Sequence, residues 1–142
     1  MRDWICGGAG VLGGLLSAAF GGWDAALSTL MLFMGADYLT GMLVAGVFHR
    51  SPKTPGGALE SRAGWKGLIR KGITLVVVLA ACRLDALLGT RFIRDGTVTA
   101  FVVNEAVSIL ENAGLMGVPI PPALARAVEV LRRRSEEEDR DE

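Results

Sequence analysis

Residues 4–48 read WICGGAGVLGGLLSAAFGGW, then Asp24, then AALSTLMLFMGADYLTGMLVAGVF. Trp4 to Trp23 is twenty residues without a charge, and Ala25 to Phe48 is twenty-four interrupted only by Asp37. At a rise of about 1.5 Å per residue, about twenty residues cross a hydrocarbon layer of roughly 30 Å. A soluble helical bundle needs a polar face on each helix, and the first run offers none. Two adjacent helices apolar on all sides would find nothing to cover them in so short a chain. The expected fold class is therefore an all-α integral membrane protein. A cleaved signal peptide is the other reading of the first run, from Arg2, the apolar stretch and the small Ala18–Ala19 pair. Asp3 offsets Arg2, seven glycines dilute the apolar centre, and the second run starts directly after Asp24. These features favour a tight N-terminal helical hairpin with Trp4 and Trp23 at opposite interfaces.

Around this stretch, the 142 residues are 51% hydrophobic and 21% charged with zero formal net charge, enough for one domain. Zero net charge with an acidic end excludes a general nucleic-acid binder, which needs a basic field. His49 stands alone, and Cys6 and Cys82 lie far apart in apolar runs. Neither a metal site nor a disulfide framework is expected.

Two further runs are conditional spans. Residues 72–90 are densely apolar up to Cys82 and then carry Arg83 and Asp85. Residues 96–118 carry Asn104, Glu105, Glu111 and Asn112. The loop 49–71 holds Arg50, Lys53, Arg62, Lys66, Arg70 and Lys71 against Glu60, so the positive-inside rule places it in the cytoplasm. Four spans, about 4–23, 25–48, 72–90 and 96–118, then put both termini in the cytoplasm, with Arg126 and Arg132–Arg134. The short loop with Arg91, Arg94 and Asp95 faces outward, a mild violation. Three spans, with 96–118 lying at the surface, is the alternative. The membrane domain is expected over 1–125. Pro122 can sit in the first turn of a following helix with Leu124, Val128 and Leu131 as a weak apolar stripe, and in the charged tail 126–142 the block Arg132 to Glu142 is read as solvated and mobile.

Within the basic loop, Pro52 and Pro55-Gly56-Gly57 stop the second helix. Over 59–71, Arg62, Lys66 and Arg70 recur every four residues as one helical stripe, with Lys71 beside it. This fits an amphipathic segment on the inner leaflet, or a solvated loop that sets topology. In the first run Cys6, Gly10, Gly14, Ala18 and Gly22 form a groove of small side chains. Such grooves let helices approach closely in lipid. The partner is either the second helix, through Gly41 and Ala45, or another copy of the chain.

Charges inside the spans need partners. An ionised Asp37 at the centre of a span costs about 2.5–3.5 kcal/mol or more. Arg83 is predicted at a similar depth to Asp37 and Glu105, so it is expected to pair with one of them or to snorkel outward. Asn104, Glu105, Ser108, Glu111 and Asn112 fall within an arc of about 120° at 100° per residue. That arc is expected to be buried or pore-facing; an interfacial helix is the alternative, but its polar face would ordinarily be basic. No nucleophile–histidine pair or phosphate loop is present, so catalysis and cofactors are not expected.

Three motifs together are similar to one family. They are Asp37-Tyr38-Leu39-Thr40-Gly41; Ser61 with Gly64-Trp65-Lys66-Gly67-Leu68 and Lys71; and Asn104-Glu105, Ser108-Ile109, Glu111-Asn112 with Gly117-Val118-Pro119-Ile120-Pro121. Over roughly residues 25–125 the chain resembles the toxin-secretion/phage-lysis holin family. The resemblance implies a small protein of the bacterial cytoplasmic membrane that assembles with its own copies into holes. The holes release an endolysin or a large toxin, without required contact with that cargo. The acidic end of the tail departs from holin tails, which are typically basic, and Arg83 and Asp85 are also unusual. An ion- or proton-coupled transporter subunit using Asp37 and Glu105, and a membrane-anchored adaptor using the basic loop and tail, are the competing readings.

Overall fold

Asp24 ends the glycine turn after the first apolar run and caps the helix that follows. Its carboxylate accepts a hydrogen bond from the Leu27 N–H at 2.9 Å, as a favourable N-cap does. The computed structural model describes residues 1–138 and 140. Those residues form five helices and no strand: α1 (Arg2–Ala19), α2 (Ala25–Gly46), α3 (Ser61–Leu88), α4 (Phe92–Leu115) and α5 (Pro122–Glu138).

The boundaries follow from local chemistry. Gly89 closes α3 in the left-handed conformation (φ 69°), its N–H bonded to the Asp85 carbonyl. Pro122 opens α5, where its missing N–H leaves no bond unmade. Between α2 and α3, Gly57 has φ 70°, and a Cβ there would lie 2.2 Å from the His49 carbonyl oxygen, so only glycine fits that turn.

Helix α4 is the centre of the bundle. It packs against α2, α3 and α5, while α2 and α3 touch each other less. The pairings run α2 parallel to α4 and α3 antiparallel to both. Leu27, Leu30 and Met34 of α2 meet Val78 and Cys82 of α3 and Val98 of α4 in one apolar core. The rest of the surface is unusually apolar. Leu32 and Leu39 of α2 and Ile69, Ile73, Val76 and Leu84 of α3 are all exposed, while Asp37, Asp85, Arg94 and Glu105 are buried. Charged groups inside and hydrocarbon outside is the arrangement that lipid, not water, stabilises.

Three sequence expectations are corrected. The segment 59–71 and the span 72–90 are one continuous helix, α3, because no residue after Ser61 breaks it before Gly89. Helix α1 does not pair with α2 as a hairpin; among the helices it touches only α3. Among the described residues, only α2 is both long and apolar enough to qualify as a membrane span by length and composition. Glycine dilutes α1, and ionisable side chains interrupt α3 and α4. Finally, the expected mobile tail is helical through Glu138, with Arg132–Glu136 and Arg133–Glu129 pairs one turn apart. Asp139, Asp141 and Glu142 of that tail lie outside the described residues. Most of the segment 96–118 belongs to α4, which packs against both α2 and α3.

Candidate functional site

Two polar layers bracket the apolar core. The first is built on Arg94, in the first turn of α4 and 2% exposed. Its Nε donates to the Phe20 carbonyl at 2.9 Å, and its guanidinium donates to Asp24 Oδ2 at 2.8 Å and to the Gly22 carbonyl at 3.2 Å. Asp85, near the end of α3, accepts from the backbone N–H of Arg94 at 2.7 Å and of Ile93 at 3.2 Å, so it caps α4 from the neighbouring helix. The α1–α2 turn and the α3–α4 turn are thereby tied together at one end of the bundle. The hydrogen bond from Arg94 holds the Asp24 carboxyl below its ordinary value, against an opposing effect of partial burial.

The second layer lies about 16–21 Å further along the helices, eleven to fourteen residues at helical rise. Lys71 of α3 reaches inward and places its Nζ 2.8 Å from Asp37 Oδ2 of α2 and 2.5 Å from Glu105 Oε2 of α4. The side chains are 15%, 9% and 8% exposed for Lys71, Asp37 and Glu105 respectively, so one ammonium neutralises two carboxylates away from solvent. Asn112, one heptad beyond Glu105 on the same face of α4, donates to Asp37 Oδ1 at 3.1 Å and to Thr40 Oγ1 at 2.9 Å. The amide lies beside Gly41, where a Cβ would sit 3.8 Å from Asn112 Nδ2, an ordinary contact distance. On the other side of Asp37, the ring of Tyr38 rests on Gly64 and Gly67 of α3, and its hydroxyl donates to the Gly64 carbonyl at 3.5 Å. Residues from each of the three motifs quoted from the sequence, separated along the chain by tens of residues, therefore meet in one layer. An open cleft of about 370 Å³ leads to it between α2, the 51–60 loop and the first half of α3.

The predicted site residues divide by face. Glu105 and Asn112 point into the bundle, whereas Asn104 and Glu111 are exposed and Ser108 is half-buried between them. The expected polar arc is split. One edge is consumed within the chain, and the other makes no side-chain hydrogen bond or ion pair among the described residues. The expected pairing of Arg83 with Asp37 or Glu105 is not found; Arg83 is exposed, and Lys71 stands in its place. Lys71 was expected at the membrane surface with Arg62, Lys66 and Arg70, which are exposed. One residue past Arg70 turns a side chain about 100° around the helix, enough to aim Lys71 inward. Arg94, expected in a loop, is instead in the first turn of α4, buried and paired with Asp24. Gly10 and Gly14 have nothing within 4 Å of a Cβ position, and Ala18 is exposed, so the small-residue groove is bare along α1; Gly22, expected at its end, lies past α1 in the turn at φ 99°, where its carbonyl accepts from Arg94. Gly41 faces Asn112 of α4 and Ala45 is buried beside the cleft, while α1 makes no contact with α2. Among the described residues, no group of histidine, cysteine or carboxylate side chains is placed to hold a metal ion.

Comparison with known proteins gives a consistent family. The model of the bacteriophage holin family matches residues 14–133. An uncharacterised 14.9 kDa protein of Clostridium perfringens is 40% identical over 125 residues, covering 87% of this chain and 89% of its own. An uncharacterised protein of Listeria monocytogenes is 32% identical over 128 residues, covering 89% of this chain and 86% of its own. A probable holin of Bacillus phage phi105 is 31% identical over 104 residues, covering 72% and 71%. No solved structure matches the chain.

Proposed function

The chain belongs to the bacteriophage holin family, and on that premise we propose that its copies associate in the bacterial inner membrane into a hole that passes a folded protein. The observation that carries this reading is the outward edge of α4. Glu111 lies about one turn from the end of α4 and Asn104 about two turns deeper, both exposed and unpaired among the described residues. In hydrocarbon such groups are tolerated only against protein or water. Sister copies that turn these edges towards a common centre satisfy them with water and make a polar lumen. The bare groove of α1, Gly10 to Ala18, supplies a surface for close approach between copies. Lys71, Asp37, Glu105 and Asn112 hold each protomer's three central helices together rather than line the lumen.

In this reading α1 to α4 all cross the membrane, and both termini lie in the cytoplasm with the basic 49–71 segment. Endolysin or a secreted toxin is the cargo, and no cofactor or catalysis is involved. The burial of Arg94 against Asp24 supports the orientation, since it removes a cationic penalty at the outer end. A proton- or ion-coupled transporter is the second reading, favoured by the cleft that reaches Asp37 and Lys71.

Expression of the chain in bacteria with a large cytoplasmic enzyme as reporter separates the readings. The hole predicts abrupt release of the enzyme after a lag. Collapse of ion gradients with the enzyme retained would favour the transporter, and an intact membrane throughout would favour an adaptor.

A further inference from the structure

The cleft beside the motif layer has a composition that its own chain does not explain. Lys66 and Arg70, one turn apart on α3, and Lys53 on the preceding loop line it, and all three are exposed. None of them forms an ion pair among the described residues. The acids on its wall are Glu60 and Asp37, and Asp37 is already engaged by Lys71. Hydrocarbon makes up much of the remaining wall: Met42 and Val44 of α2 and Leu59 of the loop line the same cleft, with Met42 and Leu59 reaching the exposed surface. Unpaired cations beside exposed hydrocarbon in one cleft fit an amphiphilic anion.

We propose that this cleft binds the headgroup of an anionic phospholipid from the inner leaflet, with the phosphodiester between Lys66 and Arg70 and the acyl chains leaving over Met42 and Leu59. The proposal rests on the membrane reading above and adds a specific ligand to it. The side chains of Lys66 and Arg70 start about 6 Å apart along the helix, a spacing that lets both donate to one phosphate. At about 370 Å³ the cleft lies within the ~300–1,000 Å³ range of small-molecule sites, the size of a headgroup and its glycerol rather than a whole lipid. Basic clefts at this level between membrane helices recognise anionic headgroups by the same chemistry. Arg62 belongs to the same basic stripe but does not line the cleft. It therefore separates a built site from general attraction to a negative surface.

The test uses the full chain in neutral detergent micelles, melted with added phosphatidylglycerol, phosphatidylcholine or inorganic phosphate at equal concentrations. Phosphatidylglycerol is expected to raise the melting temperature and the other two are not, because a ligand that binds the folded state stabilises it. K66Q with R70Q is expected to weaken the response about 10-fold in lipid concentration, and R62Q about 2-fold or less. A63L, which fills the half-buried wall without changing charge, is expected to abolish the response while leaving helicity unchanged by circular dichroism. Equal responses to the two lipids, an equal loss in R62Q, or an undiminished response in A63L would overturn the proposal. So would an equal response to inorganic phosphate, which would make the ligand a free anion. A chain that stays dispersed without detergent would instead overturn the membrane reading itself.

Discussion

Lys71 and Asp37, thirty-four residues apart in the chain, meet at 2.8 Å across the α2–α3 interface, and Glu105 completes the contact from α4. This ion cluster lies on the side of the apolar core opposite Arg94, so each end of the core is closed by buried charge. Dispersion and burial hold the middle of the bundle. The register of the three helices is set by charges that have no alternative partner at that depth.

Replacing Lys71 by Met should strand two carboxylates in the interior. Removing one partner of a buried ion cluster typically destabilises by about 3–5 kcal/mol. Thermal melting of K71M in detergent should show that loss, and adding D37N and E105Q to the same variant should recover most of it. If K71M melts like the parent chain, the cluster does not hold the helices together.

The Arg94–Asp24 contact gives a pH dependence with a definite sign. The folded Asp24 carboxyl titrates below its ordinary value of 3.8 because Arg94 hydrogen-bonds its charged form. Its contribution is complete above that value and is lost as pH falls through the lowered folded one. The stability difference between the parent chain and D24N should be constant near neutrality and shrink below about pH 4. A difference that grows with acidification would contradict the assignment. The size should be modest, since the Asp24 side chain is 39% exposed.

Glu111 and Glu105, six residues apart on α4, should respond differently to the same change. E111Q is expected to leave melting unchanged and to alter dye leakage from vesicles about 10-fold, the effect of about 1.4 kcal/mol on a wetted lumen. E105Q is expected to lower the melting temperature first, because it removes half of Lys71's partners. Identical behaviour of the two variants would mean that the two edges of α4 do not have separate roles.

Gly14 tests the α1 groove. Nothing lies within 4 Å of a Cβ placed there, so G14L should fold as the parent does. It should nonetheless reduce oxidative crosslinking between copies through Cys6, which is exposed on the same stripe, while Cys82 is buried. Unchanged crosslinking and unchanged lysis timing in G14L would remove the groove from the assembly.

Much of this was legible in the residues themselves. The unbroken apolar run of α2, the proline and glycine stops at Pro52–Gly57, and Pro122 at the head of α5 follow from backbone chemistry and hydropathy, which act locally. The three family motifs could be read in order, and Asp37 and Glu105 could be placed at one depth by counting. What counting could not supply was the cation between them. Lys71 looks like part of the basic stripe with Arg62, Lys66 and Arg70, because periodicity records spacing along a helix and not which face its neighbours occupy.

The sequence by itself determined a helical chain whose apolar surface suits lipid, and it carried enough motif to identify the family. The tertiary structure alone decided that Lys71, not Arg83, neutralises the buried carboxylates. It also decided that Arg94 is interior and that the polar arc of α4 is divided between the bundle and the outside. The reason is physical. A local pattern specifies the direction of a side chain relative to its own helix axis, whereas a salt bridge depends on the rotation and register of three helices at once.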